Sequence, residues 1–359
     1  MKKVKGRRQF LQETVAVLAV PAVLPTGRLV AESSSGRIKI GQIGVGHPHA
    51  AGKLSAHRRS NEYEVVGVVE PNAELRRKAE KSDVYKNVKW MSQEELLDTP
   101  GLQAVAVETH VRDLLRTAQA CVDRGLHIHL DKPAGTSLSE YKKVLDTATA
   151  RGRVVQMGYM YRYNPAVLFM REALKKGWLG EVFEVHTVMS KVVAPDSRRK
   201  LSEFRGGIML ELGCHIIDLL VGVLGKPQRV VPYHQHASNH DDTLEDNMLA
   251  VCTYPRAIAT VKSAAMEVEG FSRRHFVVCG SEGTLHIQPL DRPDVRLSLS
   301  RQRGKYRAGI QDVPFGHYNR YIADAADLAR IIRGEKESDY GPEHDLATQE
   351  TVLQASDMM

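Results

Sequence analysis

Residues 38–49 read IKIGQIGVGHPH, in which a short apolar strand runs directly into a glycine turn. Gly44 and Gly46 stand where the strand becomes a helix, and glycine there permits a tight turn and the close approach of a pyrophosphate to helix amides. The third position of the usual G-x-G-x-x-G fingerprint holds His49 instead of Gly or Ala, so the motif needs support from its surroundings. The stretch predicts a Rossmann-type dinucleotide-binding unit, against the alternative of a glycine turn with a purely structural purpose.

The chain alternates short apolar runs with stretches of helical periodicity as far as about Met157. Such repeated strand–helix units predict a doubly wound parallel sheet. Its six predicted strands are Ile38–Ile43, Glu64–Val69, Val88–Trp90, Ala104–Val107, His127–Leu130 and Val154–Met157. Beyond about Tyr159, strand-like runs follow one another without helices, which indicates an open, largely antiparallel sheet. The predicted fold class is therefore α/β, with a Rossmann domain over 37–157 and an α+β domain over 158–359 that two C-terminal helices close.

An acidic residue and a hydroxyl stand where a dinucleotide would need them. Glu70 ends the second predicted strand, 24 positions beyond Gly46, close to where an acid usually accepts hydrogen bonds from the adenosine ribose. Because a carboxylate there repels a 2′-phosphate, it favours NAD over NADP. Thr109 follows the fourth strand at the same edge and is a further candidate for cofactor binding. His47 and His49 could contact the pyrophosphate or line the cleft near the nicotinamide, and helix-start packing is the equal alternative.

The formal charge of +7 and the pI near 9.1 do not indicate nucleic-acid binding, because the excess charge is concentrated at the N-terminus. Residues 1–31 hold six basic residues against one acid. The remaining residues are 44 basic and 42 acidic, so their net charge is close to zero. This net charge is too small to indicate a surface that binds a phosphate backbone. We therefore expect no nucleic-acid partner.

Residues 1–31 have the parts of an export signal. The motif RRQFL at 7–11 precedes a mostly apolar run over 15–24 that is too short to span a bilayer, and small residues follow. We interpret 1–31 as a twin-arginine-type signal peptide and 32–36 as a linker. This predicts a periplasmic or otherwise exported protein with the twin-arginine export machinery as a partner. An amphipathic N-terminal helix on a cytoplasmic protein is the alternative.

The sequence predicts no metal site. Its four cysteines show no C-x-x-C pair and no metal-finger spacing, so we interpret them as small buried residues. His234, His236 and His240, followed by Asp241 and Asp242, are of metal-ligand type. They lie in a polar stretch between predicted strands, which is typical of a solvated loop.

Two further motifs place charged groups where chemistry could occur. Lys132 follows the fifth predicted strand at the carboxyl edge of the sheet, where such folds bind ligands, and Pro133 holds it extended. Glu211, His215 and Asp218 fall at i, i+4 and i+7 of an otherwise apolar helix and so share one face. Three ionisable groups on a buried helix need charged or hydrogen-bonding partners, or a polar cavity. They therefore indicate either a row of catalytic residues or a structural network in which every group has a hydrogen-bond partner.

Several motifs, taken in order, resemble one family. They are the glycine turn at 44–46, DKP at 131–133, YRYNP at 161–165, GWLGE at 177–181 and ELGCHIID at 211–218. In this order they resemble the glucose-fructose oxidoreductase/inositol dehydrogenase/MocA (Gfo/Idh/MocA) family over about residues 37–355. Two positions depart from the family's usual pattern: E-K-P is D-K-P here, and the D-x-x-x-H helix pair is Glu211 with His215.

The resemblance implies oxidation of a sugar or polyol hydroxyl with a nicotinamide cofactor. It assigns His215 as the base that accepts the hydroxyl proton and Glu211 as the group that orients this imidazole. It assigns Lys132 as the hydrogen-bond donor to the substrate oxygen and the nicotinamide ribose. The candidates for substrate binding or support are Arg162, Tyr163 and Asp218. The resemblance also implies a homo-oligomer.

Export has a consequence for the cofactor, because no free nicotinamide pool exists outside the cytoplasm. We therefore expect tightly held NAD(H) that is reduced and reoxidised within the same protein. This suits a two-substrate sugar oxidoreductase, or a transient oxidation that assists glycosidic-bond cleavage, as in the NAD-dependent glycosidases that the family resembles. A conventional dehydrogenase that releases NADH is the alternative if the N-terminus is no signal. A non-catalytic sugar- or cofactor-binding protein is the alternative from another class, and Lys132 and His215 argue against it.

Overall fold

The computed structural model describes residues 36–359, so the predicted signal peptide lies outside the described residues. The first sheet has six strands, β1 (Ile38–Ile43), β2 (Tyr63–Val69), β3 (Trp90–Met91), β4 (Ala104–Val107), β5 (His127–Leu130) and β6 (Val155–Met157). All neighbours are parallel, in the order β3-β2-β1-β4-β5-β6. This is the doubly wound arrangement that the sequence predicts, and the strand order reverses at β1.

Helices cover both faces of this sheet, which explains why strands such as β4 are fully buried apolar runs. The helices are α1 (Ala50–Arg59), α2 (Ala73–Ala79), α3 (Gln93–Leu97), α4 (Val111–Asp123) and α5 (Leu138–Ala150). Their starts follow local sequence signals. The Asn72 side chain caps α2, and Ser92 with Glu95 forms a capping box on α3.

The second sheet has eight strands and is mostly antiparallel, as predicted. Its strands are β7 (Val182–Val188), β8 (Arg229–Gln235), β9 (Asn247–Thr253), β10 (Ile258–Ala264), β11 (His275–Gly280), β12 (Gly283–Ile287), β13 (Val295–Leu299) and β14 (Gly309–Val313). Their order is β14-β13-β12-β11-β7-β10-β9-β8, and only the pair β7 and β10 is parallel in the described chain. The alternation of apolar and polar residues does not by itself predict β7 or β14, because their side chains Phe183 and Ile310 are apolar and yet exposed.

The remaining helices come after the first sheet in the chain, and most of them pack around the second sheet or between the two parts. They are α6 (Pro165–Lys175), α7 (Pro195–Leu201), α8 (Cys214–Leu224), α9 (Gly270–Arg273), α10 (Ile322–Ile332) and α11 (Pro342–Ala355). A 3₁₀ turn over Met160–Tyr163 follows β6, and a π-helical turn over Met209–Gly213 precedes α8. Over residues 36–359, none of the helices combines the length and apolar character that a membrane span requires.

Helix α10 comes late in the chain but packs on the first sheet. Its Ala325 and Ala329 form an apolar cluster with β1, β2 and β4. The Tyr63 hydroxyl of β2 donates a hydrogen bond to the carbonyl oxygen of Ala325 at 2.6 Å. The small side chains on α10 allow this close approach. The last part of the chain therefore returns to the dinucleotide-type sheet.

A buried ion-pair cluster, Arg162 with Asp218 and Asp345, fastens the 3₁₀ turn after β6 to helices α8 and α11. Nε of Arg162 lies 2.9 Å from Oδ2 of Asp218, and its Nη2 lies 2.6 Å from Oδ1 of Asp345. The guanidinium carbon stands 4.0 Å from the ring centre of Tyr340, and His344 Nε2 lies 3.0 Å from Asp218 Oδ1. Because all three charged side chains are buried, each depends on the others for compensation.

We predict that Arg162→Met lowers the free energy of unfolding by about 3–5 kcal/mol, because two carboxylates stay buried without their cation. Urea unfolding followed by circular dichroism measures the change. The matched control is Arg116→Met, which removes an exposed ion pair with Asp113 on α4 and should leave the unfolding midpoint nearly unchanged. Equal and small effects of the two substitutions would contradict the structural role of the cluster.

Candidate active site

The turn between β1 and α1 is built around a glycine that other residues replace only with strain. Gly44 has a φ of +94°, and a Cβ atom there would lie 2.4 Å from the carbonyl oxygen of Glu108. A Cβ atom on Gly46 would lie 3.1 Å from both His110 Nε2 and Leu75 Cδ1. The two glycines therefore keep a cradle open at the start of α1, which is the shape that a pyrophosphate needs.

Glu70 lies beside this turn, at the end of β2. Its carboxylate accepts hydrogen bonds from the backbone amides of Val45, at 3.0 Å, and Asn72, at 2.9 Å. The side chain thus links the glycine turn to the second strand. It occupies the sheet edge at which the adenosine ribose of a dinucleotide binds in this type of fold.

A hydroxyl on the other side of the turn lacks a partner. Oγ1 of Thr109 is buried and makes no hydrogen bond within the part of the chain that the structure describes. An unpaired buried hydroxyl is costly, and a bound ligand would supply the missing partner. The residues present therefore fit a nicotinamide dinucleotide, which Gly44, Gly46, Glu70 and Thr109 would hold.

His47 and His49 lie between the glycine turn and the end of β5. Nδ1 of His47 contacts Oδ2 of Asp131, and Nδ1 of His49 lies 3.2 Å from Oδ1 of the same carboxylate. The ring of His49 also packs against that of Tyr321, with centroids 5.8 Å apart. Burial lowers the pKa of His49 to about 4, so this imidazole is neutral at pH 7.

Lys53 of α1 and Glu108 at the end of β4 are two charged residues near these histidines. Neither belongs to one of the sequence motifs. Nζ of Lys53 lies 3.2 Å from Oε1 of Glu108 and 3.2 Å from Oδ1 of Asp131. Burial alone would lower the pKa of Lys53, but the carboxylates of Asp131 and Glu108 raise it above its ordinary value. The sequence does carry a signal for both residues, because Lys53 stands one helical turn after His49 and Glu108 directly follows a buried strand.

Lys132 reaches from the end of β5 to the π-helical turn before α8. Its Nζ donates to the carboxylate Oε1 and to the backbone oxygen of Glu211, each at 3.0 Å. Burial alone would lower the pKa of Lys132 and raise that of Glu211. Their mutual attraction outweighs burial, so the pKa of Lys132 is raised and that of Glu211 is lowered. The pair is therefore ionised, and the ammonium keeps one N–H that Glu211 does not use.

The expectation that Glu211 orients His215 is wrong. Its carboxylate is bound to Lys132, and no hydrogen bond joins it to His215 among residues 36–359. The resemblance implied this role, and the separate prediction that the two residues share one helix face assumed an unbroken α-helix, whereas Met209–Gly213 form a π-helical turn with a wider repeat. The i, i+4 relation between the two residues therefore does not hold at this point of the chain.

His215 lies at the start of α8, enclosed by rings. Its centroid is 5.5 Å from that of Tyr161, 5.9 Å from that of Tyr159 and 6.1 Å from that of His49. The side chain is 1% exposed, and its Nδ1 has no hydrogen-bond partner in the described part of the protein. Burial, reinforced by the charge of Lys132, lowers the pKa of His215 well below its ordinary value. The imidazole is thus neutral at pH 7 and free to accept a proton.

The other three predicted residues have their partners inside the protein. Arg162 and Asp218 bind each other in the buried ion-pair cluster. The Tyr163 hydroxyl donates to Oδ2 of Asp327 at 3.0 Å and accepts from Nε2 of Gln156 at 2.9 Å. Because these polar groups are already paired, the contacts favour the supporting role over direct substrate binding.

Two further residues border the site, and neither belongs to a local motif. Tyr321 has a left-handed backbone, with φ +70°, and packs over Gly52, where an added Cβ would lie 2.5 Å from its ring. Lys191 follows β7, and burial lowers its pKa while the charge of Glu211 opposes the shift. Only the tertiary fold brings these side chains to the sheet edge.

The histidine-rich loop between β8 and β9 forms no metal-ligand group in the described residues. The ring nitrogens of His236 lie 2.8 and 3.0 Å from the carbonyl oxygens of Leu244 and His240. Asp242 pairs with Arg198, whose Nε is 2.6 Å away. The four cysteines are free, and the buried ones are Cys121, Cys214 and Cys252.

Two family models match the chain, one over each part. The model described as "Oxidoreductase family, NAD-binding Rossmann fold" matches residues 38–159. The model described as "GFO/IDH/MocA C-terminal domain" matches residues 167–286. Together they cover both sheets up to β12.

Curated relatives are similar over different shares of the chain. The uncharacterized oxidoreductase YhhX of Escherichia coli K12 is 23% identical over 74% of this chain and 76% of its own. The trans-1,2-dihydrobenzene-1,2-diol dehydrogenase of Bos taurus is 24% identical over 55% of this chain and 58% of its own. The D-xylose 1-dehydrogenase (NADP(+)) 2 of Haloferax volcanii is 28% identical over 55% of this chain and 60% of its own.

A solved structure has a similar fold over most of the chain. UDP-N-acetylglucosamine 3-dehydrogenase GnnA from Acidithiobacillus ferrooxidans has a TM-score of 0.75 at 18% identity, covering 90% of this chain and 98% of its own. At this identity the match shows a common fold. With both family models in the expected order, the chain belongs to the Gfo/Idh/MocA family of oxidoreductases.

Proposed function

We propose that this oxidoreductase oxidises a hydroxyl group of a sugar, polyol or glycoside with NAD, and that His215 is the general base. One observation carries the proposal: a buried, neutral imidazole lies beside the ionised pair of Lys132 and Glu211 at the edge of the dinucleotide cradle. This arrangement combines a proton acceptor with a fixed positive charge, as the oxidation of an alcohol requires.

His215 removes the proton of the substrate hydroxyl. The nicotinamide supplies the hydride acceptor when it is bound. The rings of Tyr159 and Tyr161 stand edge-on to the imidazole and limit its access to water. Because burial lowers the pKa of His215, the imidazole carries no extra proton at physiological pH, which is the form that a general base requires.

Lys132 stabilises the oxygen that loses the proton. Two of its three N–H donors are held by Glu211, and the third is available to the substrate oxygen. The ion pair keeps the ammonium charged in spite of its burial, so the charge is in place before the substrate arrives. Glu211 therefore acts on Lys132, and its contribution to His215 is indirect.

The names of the relatives support this substrate class. The bovine relative is a dihydrodiol dehydrogenase, the Haloferax relative is a D-xylose dehydrogenase, and GnnA is a UDP-N-acetylglucosamine dehydrogenase. For this chain we propose a sugar, polyol or glycoside hydroxyl.

NAD is proposed in preference to NADP because of Glu70. Its carboxylate stands at the end of β2, fixed by the amides of Val45 and Asn72, where it would repel a 2′-phosphate. Arg76 is nearby on α2, but its Nε binds Glu80 at 3.0 Å and its guanidinium packs over Trp90. The Arg76 side chain is thus held by Glu80 and Trp90.

We further propose export by the twin-arginine route and a cofactor that stays bound. The support is the basic, RRQFL-containing N-terminus, which precedes the described residues. A retained NAD(H) suits a two-substrate oxidoreductase or a glycosidase that oxidises its substrate transiently. A conventional sugar dehydrogenase that releases NADH is the second candidate.

A homo-oligomer is also proposed, with the second sheet as the contact. Strands β8, β10 and β14 each carry an exposed apolar side chain, namely Tyr233, Ile258 and Ile310. A second copy of the chain that covered them would remove this surface from water. Light scattering on the purified protein measures the mass of the assembly.

We predict that His215→Ala lowers turnover by about 10²–10⁴-fold or more while the dinucleotide remains bound, because the base is lost and the cradle is untouched. Steady-state kinetics and NADH fluorescence measure the two effects. His236→Ala in the loop between β8 and β9 is the control and should retain activity. Near-normal turnover of the His215 variant would remove this residue from the base role.

The pH dependence follows from the lowered pKa of His215. A base works only when it is unprotonated, so kcat/KM should fall on the acidic side, with a midpoint below the ordinary histidine value of about 6.5. A pH profile of kcat/KM with saturating dinucleotide measures the midpoint. An acidic limb at or above pH 6.5 would contradict a buried, neutral base.

Retention of the cofactor predicts that the isolated protein carries dinucleotide. We expect denaturation of mature protein recovered from the periplasm to release about one NAD(H) per chain, identified by mass spectrometry. Cytoplasmic protein lacking residues 1–31 is the control for loading before export. Periplasmic protein without any dinucleotide would overturn the retained-cofactor proposal.

A further inference from the structure

Three metal-ligating side chains converge beside the proposed base. Nδ1 of His47, Nδ1 of His49 and a carboxylate oxygen of Asp131 all lie within 4.8 Å of one another. The two histidine side chains are 8% and 14% exposed, and the aspartate is 1% exposed. Two imidazole nitrogens and one carboxylate oxygen are the donor set of many three-ligand sites for Zn²⁺ or Fe²⁺, which keep a further position open.

Two of these ligands occupy positions where the sequence departs from its motifs. His49 stands at the third fingerprint position, where Gly or Ala is usual, and Asp131 replaces the Glu of E-K-P. The structure brings the two departures into contact, with His49 Nδ1 3.2 Å from Asp131 Oδ1. This contact favours a shared function over two independent changes.

The surroundings carry an excess of negative charge. Lys53 faces three carboxyl groups, those of Asp131, Glu108 and Asp324. Its Nζ lies 3.2 Å from Oε1 of Glu108 and 3.2 Å from Oδ1 of Asp131, so one ammonium serves both of these buried carboxyl groups. A divalent cation at Asp131 would add positive charge at this point.

The Asp131 carboxylate is held in position from behind. The backbone amide of Lys132 donates to its Oδ1 at 2.8 Å, and Nζ of Lys53 donates to the same oxygen at 3.2 Å. Metal ligands are typically oriented by hydrogen bonds of this kind from neighbouring groups. The carboxylate is thus fixed before any ion binds.

We propose that His47, His49 and Asp131 bind one divalent transition-metal ion of the Zn²⁺ class, with an open coordination position toward the substrate. The His49 ring lies 6.1 Å from the ring of His215, so the ion is placed next to the proposed base. There it binds the substrate hydroxyl and lowers the pKa of that hydroxyl. This role rests on the proposed function, whereas binding of the ion does not. The site differs from the sequence-based expectation of no metal.

A second group of ligand-type side chains provides the contrast. Asp218, His344 and Asp345 also lie close together, but the guanidinium of Arg162 contacts both carboxylates, at 2.5 and 2.6 Å. One guanidinium therefore already compensates both carboxylates of that cluster, whereas at Asp131 the Lys53 ammonium contacts Oδ1 and the other oxygen, Oδ2, faces His47. His344→Ala is thus the matched control, a histidine removed from a cluster that we do not expect to bind metal.

Equilibrium dialysis of tag-free, chelator-treated protein against ZnCl₂, followed by metal analysis, tests the proposal. We expect about one Zn²⁺ per chain, and Co²⁺ in its place should give the visible absorption of a low-coordinate site. His49→Ala, His47→Ala and Asp131→Asn should each weaken binding by about a hundredfold or more, because each removes a ligand. His344→Ala should leave stoichiometry and affinity unchanged.

Dinucleotide binding, measured on the same samples by NADH fluorescence, separates this proposal from the proposed function. Circular dichroism establishes that each variant is folded. Because two histidine variants are tested independently, the test remains valid if one of them fails to fold. The metal site is overturned if the unaltered protein binds neither ion, or if His344→Ala weakens binding as much as His49→Ala does. Either result leaves the dehydrogenase proposal intact when NADH still binds and His215→Ala still abolishes turnover.

Discussion

Charge buried at the carboxyl edge of the first sheet is the constraint on which the rest of the structure depends. Lys53 is enclosed between Glu108 and Asp131, and all three side chains are at most 2% exposed. An unpaired charge at such a place costs several kcal/mol, so α1 must stay close to the ends of β4 and β5. Gly44 permits that approach, because a side chain there would collide with the backbone of Glu108.

The same edge connects the first sheet to the catalytic groups. Asp131 and Lys132 are consecutive residues at the end of β5, and they point to different partners. Asp131 completes the buried cluster around Lys53, while Lys132 crosses to Glu211 in the π-helical turn before α8. Because the ammonium and the carboxylate compensate each other, α8 is held where His215 meets the cleft. The dipeptide Asp131–Lys132 thus compensates the buried charges of Lys53 and Glu211, and through Glu211 it holds His215 in place.

Local patterns are sufficient for much of the fold and for part of the site. Apolar runs separated by helical stretches predict the parallel sheet, and the D-K-P and E-L-G-C-H-I-I-D motifs point to Lys132 and His215. The partner of Glu211 is not predictable in this way, because a π-helical turn changes the phase of the helix. The roles of Arg162 and Asp218 are also hidden, since their further partner, Asp345, lies far along the chain.

The order of residues is enough to assign the class of the protein, because it shows a glycine turn after an apolar strand, an acid after the second strand and a buried helix with a histidine. These are local or periodic properties, which the order of residues expresses directly. Which charged groups share a site is known only from the three-dimensional fold. Asp131 follows β5, whereas His47, His49 and Lys53 belong to the glycine turn and the first helix. The free energy of burying these groups together depends on the distance between the two elements, which no local pattern encodes.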